Sequence, residues 1–237
     1  GLGTIGVAGA AAGRGTSAYL NDTESFENNV MTAGELDLLV DYYSHWNQGM
    51  AGSGSVSGTA DGEAVSSELT DVKPGDGGWV TFCPQIDDNP AYLWLCGELT
   101  ATSENGYTEP EPEDNNDEGE LEEAIQVDVL YCDLNNSGEI LSEGETIFSG
   151  SLREALSRLR TGVPLDGNGN GGAIAGGQAP FAGTSGDDSQ STNPCICLDW
   201  EVPTSVGNEI QGDSLTFDHQ CYAKHARHND RTDNPCA

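Results

Sequence analysis

Positive charge is nearly missing from this chain. Among 237 residues there are 8 Lys+Arg against 40 Asp+Glu, a formal net charge of −32, and only Lys73 and Lys224 are lysines. A surface so acidic repels phosphate backbones and anionic lipid headgroups, which argues against nucleic acid and membrane surfaces as partners. Long apolar stretches are also lacking: no run of ~20 apolar residues offers a transmembrane helix. No CxxC pair suggests a zinc site, and HExxH, GxSxG, the phosphate-binding Walker loop and a GxGxxG placed between strand and helix are all missing. With carboxylates this abundant, chance pairs abound, so no acid/base dyad stands out and no enzymatic activity is expected.

Other features are plentiful. Acidic self-repulsion is costly in dilute buffer but is screened over ~3 Å in molar salt, which fits a protein adapted to brine. Seven cysteines favour an exported, disulfide-bonded protein, and an odd count leaves one thiol outside intrachain pairing. All seven, Cys83, Cys96, Cys132, Cys195, Cys197, Cys221 and Cys236, are candidates. Closeness in sequence suggests Cys221 with Cys236, strands that could be neighbours suggest Cys83 with Cys96, and Cys132 could meet Cys195 or Cys197, the other of that pair staying free or bonding between chains. Six cysteines allow 15 pairings, so the connectivity stays open. The chain opens on Gly1 rather than Met, which reads as the product of processing; Gly1–Gly13 resembles the apolar end of a secretory leader. The sequons at Asn21 and Asn135 are candidate glycosylation sites.

Along the chain the pattern is that of many short strands. Leu36, Leu38, Val40 and Tyr42 alternate onto one face, as do Ile125, Val127, Val129 and Tyr131. Tyr92–Thr100 and Asp213–Tyr222 read as strands. In Cys195–Val202, Cys195, Cys197 and Asp199 share one face, and Ile196, Leu198 and Trp200 the other. Lys73-Pro74-Gly75-Asp76 is a turn, with Pro presetting φ and Gly supplying a positive φ. Residues 149–160 form the one expected helix, with Leu152, Leu156 and Leu159 on its inner side. The Gly/Ser stretch 49–62 reads as soft, the acidic segment 103–123 as a solvated loop or hairpin tip, and the Gly/Asn/Ser-rich segment 161–193 as a long loop. The expected architecture is an all-β, jelly-roll-like sandwich spanning 15–237 with that short helix inserted, preceded by an extended N-terminal strand over 1–14.

Two metal patterns emerge. Asp133, Asn135, Ser137 and Glu139 place oxygen ligands at alternate positions ahead of Ile140, with Gly138 at the sharp turn, as in the opening of a calcium loop. Gly144 stands where the terminal Glu belongs, and a plain Asn-Ser-Gly turn accounts for the same residues. His225 and His228, three apart, could share one side of a helical turn, or serve simply as surface residues. No cofactor is required, and calcium is the ion that the first pattern suggests.

The N-terminal segment has a character of its own. Six of its first fifteen residues are glycine, which disfavours a helix by ~1 kcal/mol each. As a strand it sets Ile5, Val7, Gly9 and Ala11 on one face and Leu2 on the other, all apolar or tiny, as suits burial on both sides. It is followed by Gly15-Thr16-Ser17-Ala18-Tyr19-Leu20-Asn21-Asp22-Thr23-Glu24-Ser25 and Thr32-Ala33-Gly34-Glu35-Leu36-Asp37-Leu38. These blocks resemble the TasA/camelysin-type family, exported through SipW-type signal peptidases. Leu69–Asp76 resembles that family's "PGD" turn. Trp200-Glu201-Val202-Pro203, Gly207-Asn208, Gln211–Ser214 and Arg227-His228-Asn229 resemble the C-terminal block of its halophilic archaeal members. The resemblance implies a secreted jelly-roll subunit at the cell surface, where relatives build matrix fibres or pili in biofilms. Such subunits polymerise head-to-tail with copies of themselves by donor-strand complementation. Leu2, Ile5, Val7, Gly9 and Ala11 would then be the donor residues, inserted into the next subunit's sandwich. The protease activity described for camelysin relatives is not implied, since no matching metal motif is present. The alternative is a monomeric secreted surface-binding or adhesion module, stabilised by calcium or recognising glycan.

Overall fold

A computed structural model describes residues 19–22, 36–104, 119–135, 137–171, 177–183, 193–227, 229 and 231–236. The candidate donor residues, His228, residues 105–118 of the acidic segment, and residues 172–176 and 184–192 of the Gly/Asn/Ser-rich segment lie outside them.

The described chain forms eleven strands: β1 (Tyr19–Asp22), β2 (Leu38–Asn47), β3 (Ser53–Ala60), β4 (Val65–Thr70), β5 (Gly77–Ile86), β6 (Ala91–Ser103), β7 (Gln126–Leu134), β8 (Ile140–Ser151), β9 (Val163–Leu165), β10 (Cys195–Glu201) and β11 (Ser214–His225). They make two antiparallel sheets, ordered β1-β4-β11-β6-β9 and β3-β2-β5-β10-β7-β8. From β3 onward the chain crosses repeatedly between the sheets, and the result is an all-β sandwich.

Alternation explains the core. Val127, Val129 and Tyr131 on β7, Ile196, Leu198 and Trp200 on β10, and Val80, Phe82 and Ile86 on β5 face inward. They meet Leu93 and Leu95 of β6 and Leu215 and Phe217 of β11 from the opposite sheet. The PGD turn forms as its chemistry demands: Gly75 has φ +92°, Asp76 N donates to Lys73 O at 2.9 Å, and Lys73 N donates to the Asp76 carboxylate at 2.8 Å.

The helix starts later than expected. α2 (Leu152–Arg160) is capped by Ser151, whose hydroxyl accepts from Glu154 N while Ser151 N donates to the Glu154 carboxylate, both at 3.3 Å. Leu152, Leu156 and Leu159 are buried beneath it. Residues 149–151 instead end β8.

The stretch expected to be soft and the two segments expected as loops contain structure. The Gly/Ser stretch forms β3 because Trp46 and Tyr42 of β2 lay their rings over Gly54 and Gly58, where any Cβ would collide. The acidic segment closes with α1 (Leu121–Ala124), anchored by the fully buried Leu121. The Gly/Asn/Ser-rich segment contributes β9 and the fully buried Phe181, bridged to Ala91. β8 escapes periodicity analysis because it is bulged and largely exposed, with Phe148 its one buried side chain.

Candidate functional site

The segment that follows the candidate donor residues enters at a sheet edge. β1 pairs in antiparallel register with β4, Tyr19 opposite Glu68 and Asp22 opposite Val65, so the resemblance-bearing block around Asn21 is part of an outermost strand. On the other sheet the outermost described strands are β8, which carries Glu143 and Glu145, and β3, whose sequence SGSVSGTA carries no charged residue and no proline. Soluble proteins usually blunt such edges with charge, proline or bulges. In a chain with 40 carboxylates, the eight-residue β3 edge carries none of them.

Of the pairings the sequence suggests, Cys132 with Cys197 forms and the other two do not. Cys83 bonds Cys195, Cys96 bonds Cys236 and Cys132 bonds Cys197. Neither Cys83–Cys96 nor Cys221–Cys236 forms, because β5 and β6 belong to different sheets and Cys221 points into the core. The bonds Cys83–Cys195 and Cys132–Cys197 stitch β5, β10 and β7 together, while Cys96–Cys236 fastens the C-terminal tail over Tyr92 and Trp94. The unpaired thiol is therefore Cys221 rather than Cys195 or Cys197. Burial pushes it up to about 12, which suppresses the thiolate needed for exchange. Thiol-alkylating reagent should leave the native chain unlabelled and add one label per chain after denaturation without reductant. Rapid native labelling, or a reducible dimer, would contradict this placement.

The calcium-loop residues sit at the β7–β8 hairpin. The Asp133 carboxylate accepts from the Ser142 hydroxyl at 2.7 Å. The Asn135 side-chain oxygen accepts from Ser137 N and Glu139 N at 2.8 and 3.0 Å, and its amide donates to Glu139 at 2.7 Å. Gly138 takes φ +79° with the Tyr43 ring against it. These oxygens serve the turn itself, the arrangement of an Asn-initiated hairpin turn.

Carboxylates converge elsewhere. Glu104, at the end of β6, Glu120, before α1, and Asp213, before β11, each bring one oxygen within 4.8 Å of the others. Asp213 is fully buried and accepts from Glu120 N at 2.7 Å. Among the described residues this is the one such grouping of three or more His, Cys, Asp or Glu. Sequence reading misses it because the three positions span more than a hundred residues.

The three described histidines do not gather, and the expected His225–His228 pair lies partly outside the described residues. His45 lies on the outer face of β2, His219 is buried on β11, and His225 ends that strand. Neither ring nitrogen of His219 has a hydrogen-bond partner, and the ring meets Phe82 edge-on at 4.5 Å.

No family model and no curated protein matches the chain. Three disulfides indicate folding in an oxidising or extracellular environment, and no described helix is long and apolar enough to cross a membrane.

Proposed function

We propose that this protein is a structural subunit of an extracellular filament, a pilus or matrix fibre, polymerised head-to-tail by donor-strand complementation through residues 1–14. The observation that carries this reading is the uncharged, proline-free β3 edge on an otherwise strongly acidic sandwich. An edge without charge can accept a further strand, and the N-terminal segment is made of residues suited to be one. Leu2, Ile5 and Val7 would be the buried side chains at each joint, and Gly9 and Ala11 would allow close backbone approach. A contact between two different surfaces of identical subunits repeats without closing, which yields a fibre. The resemblance to TasA/camelysin-type proteins supports the same reading, and the sandwich fold agrees with it. No catalytic role is assigned.

The acidic surface suits assembly in brine. Screening over ~3 Å in molar salt lets subunits of like charge pack side by side. The test is negative-stain electron microscopy in molar KCl of the full chain and of a chain lacking residues 1–13. Filaments from the first and monomers from the second are expected. Filaments from both would place the joint elsewhere, and dispersed particles from both would overturn the filament reading.

A further inference from the structure

At one end of the β3–β8 sheet, on its outer face, three strands leave a groove of about 650 Å³. Its making can be followed residue by residue. β2, β5 and β10 run side by side, so Asn47, Gly77 and Glu201 form one row across them, and His45, Trp79 and Asp199 the next. Gly77 has no side chain in the first row, which opens a notch between Asn47 and Glu201. A Cβ there would lie 2.9 Å from the Trp200 carbonyl oxygen, so the notch is built into the backbone. The end of the groove is walled by two turns locked together, Gly75 N donating to Val202 O and Val202 N to Asp76 O, both at 2.8 Å. Thr204 and Ser205 complete that wall.

The chemistry of the lining is specific. Trp79, partly exposed, pairs with His45 at 5.7 Å between ring centroids and 30° between planes, which makes a two-ring aromatic wall. Around it stand an amide (Asn47), two hydroxyls (Thr204, Ser205) and two carboxylates (Asp199, Glu201). Desolvation raises the Asp199 carboxyl, with Glu143, Asp128 and Glu201 adding repulsion. Anions are therefore disfavoured here. A simple cation would use acceptors alone, whereas the lining offers donors and acceptors together, the combination that hydroxyl groups need. An apolar ring face beside mixed polar groups, in a concavity within the about 300–1,000 Å³ of small-molecule sites, is the make-up of a ligand pocket.

We infer that this groove binds a neutral carbohydrate, a pyranose unit stacked on Trp79 with its hydroxyls hydrogen-bonded by Asn47, Glu201 and the Thr204–Ser205 turn. The site is independent of the N-terminal segment, so it stands or falls separately from filament formation. It would let the subunit adhere to glycan at a cell surface.

The test uses the full chain in molar KCl with methyl glycosides of glucose, galactose, mannose and N-acetylglucosamine as probes, and Nα-acetyl-lysine amide as the cationic control. Binding is read by saturation-transfer NMR and tryptophan fluorescence. At least one glycoside should saturate the site, with affinity about tenfold weaker or worse in Trp79→Ala and largely regained in Trp79→Phe. Asn47→Ala, at an exposed position, should weaken the same glycoside in a chain with unaltered circular dichroism. Glu201→Gln, which keeps hydrogen-bonding capacity, should retain sugar binding within a few-fold. The inference is overturned by no saturable glycoside, by binding of the lysine probe alone, or by folded Trp79→Ala and Asn47→Ala chains that bind as the parent does.

Discussion

Replacing Cys83 and Cys195 together by serine is expected to lower the free energy of unfolding by about 4 kcal/mol. The two residues are 112 apart in sequence; the Cys132–Cys197 bond shortens the path between them to about 50 residues, and a crosslink closing a loop of that length still removes a large share of the denatured chain's freedom. In the folded chain the bond joins β5 to β10, two interior strands of the six-stranded sheet. The loss comes on top of any packing change, since both sulfurs lie on the outer face away from the core. Chemical denaturation at constant molar KCl, comparing the parent with the double variant, measures it directly. A loss under about 1 kcal/mol would mean that the denatured chain is already ordered around this pair.

The second large effect is acid sensitivity through His219. Burial lowers its pKa from 6.5 to about 3, because the ring lies against Phe82 and Phe217 with neither nitrogen hydrogen-bonded. Above pH 6.5 the imidazole is neutral in folded and unfolded chains alike, and its titration costs nothing. Between about 6.5 and 3 the unfolded chain takes up a proton that the folded chain refuses, so stability falls as pH falls, by about 1.4 kcal/mol per pH unit. Asp76 and Asp199 act in the opposite sense. Their folded-state pKa values are raised, first by desolvation, so the folded chain binds those protons more readily and gains stability as pH drops through the carboxylate range. A His219→Phe chain keeps both aspartates and isolates the histidine. Its stability relative to the parent should rise by about 3 kcal/mol between pH 7 and pH 4. A difference that stays flat over this range would show that the imidazole gains a proton without penalty.

Sequence periodicity reached the parts of this protein where the two faces of a strand or helix differ and one of them lies in the main core. β7 and β10 alternate cleanly because each has one face in the core, and the leucine spacing of α2 follows from packing one side of a helix on the sandwich. The PGD turn needs only Pro and Gly geometry, which is local. Composition was informative in the same local way: the odd number of cysteines guarantees a thiol outside intrachain pairing.

Tertiary structure decided what depends on partners distant in the chain. β3 is a strand because aromatic rings from β2 cover its glycines, a stabilisation invisible in SGSVSGTA itself. Which thiol remains free depended on which faces β5, β10 and β11 present, and the crossing between sheets put Cys83 beside Cys195 rather than near Cys96. The grouping of Glu104, Glu120 and Asp213 and the groove around Trp79 likewise join residues from separated segments. Local backbone preference is written residue by residue and can be read in order along the chain. Pairing across sheets depends on loop closure and on the packing of side chains far apart in sequence, so only the folded chain reveals it.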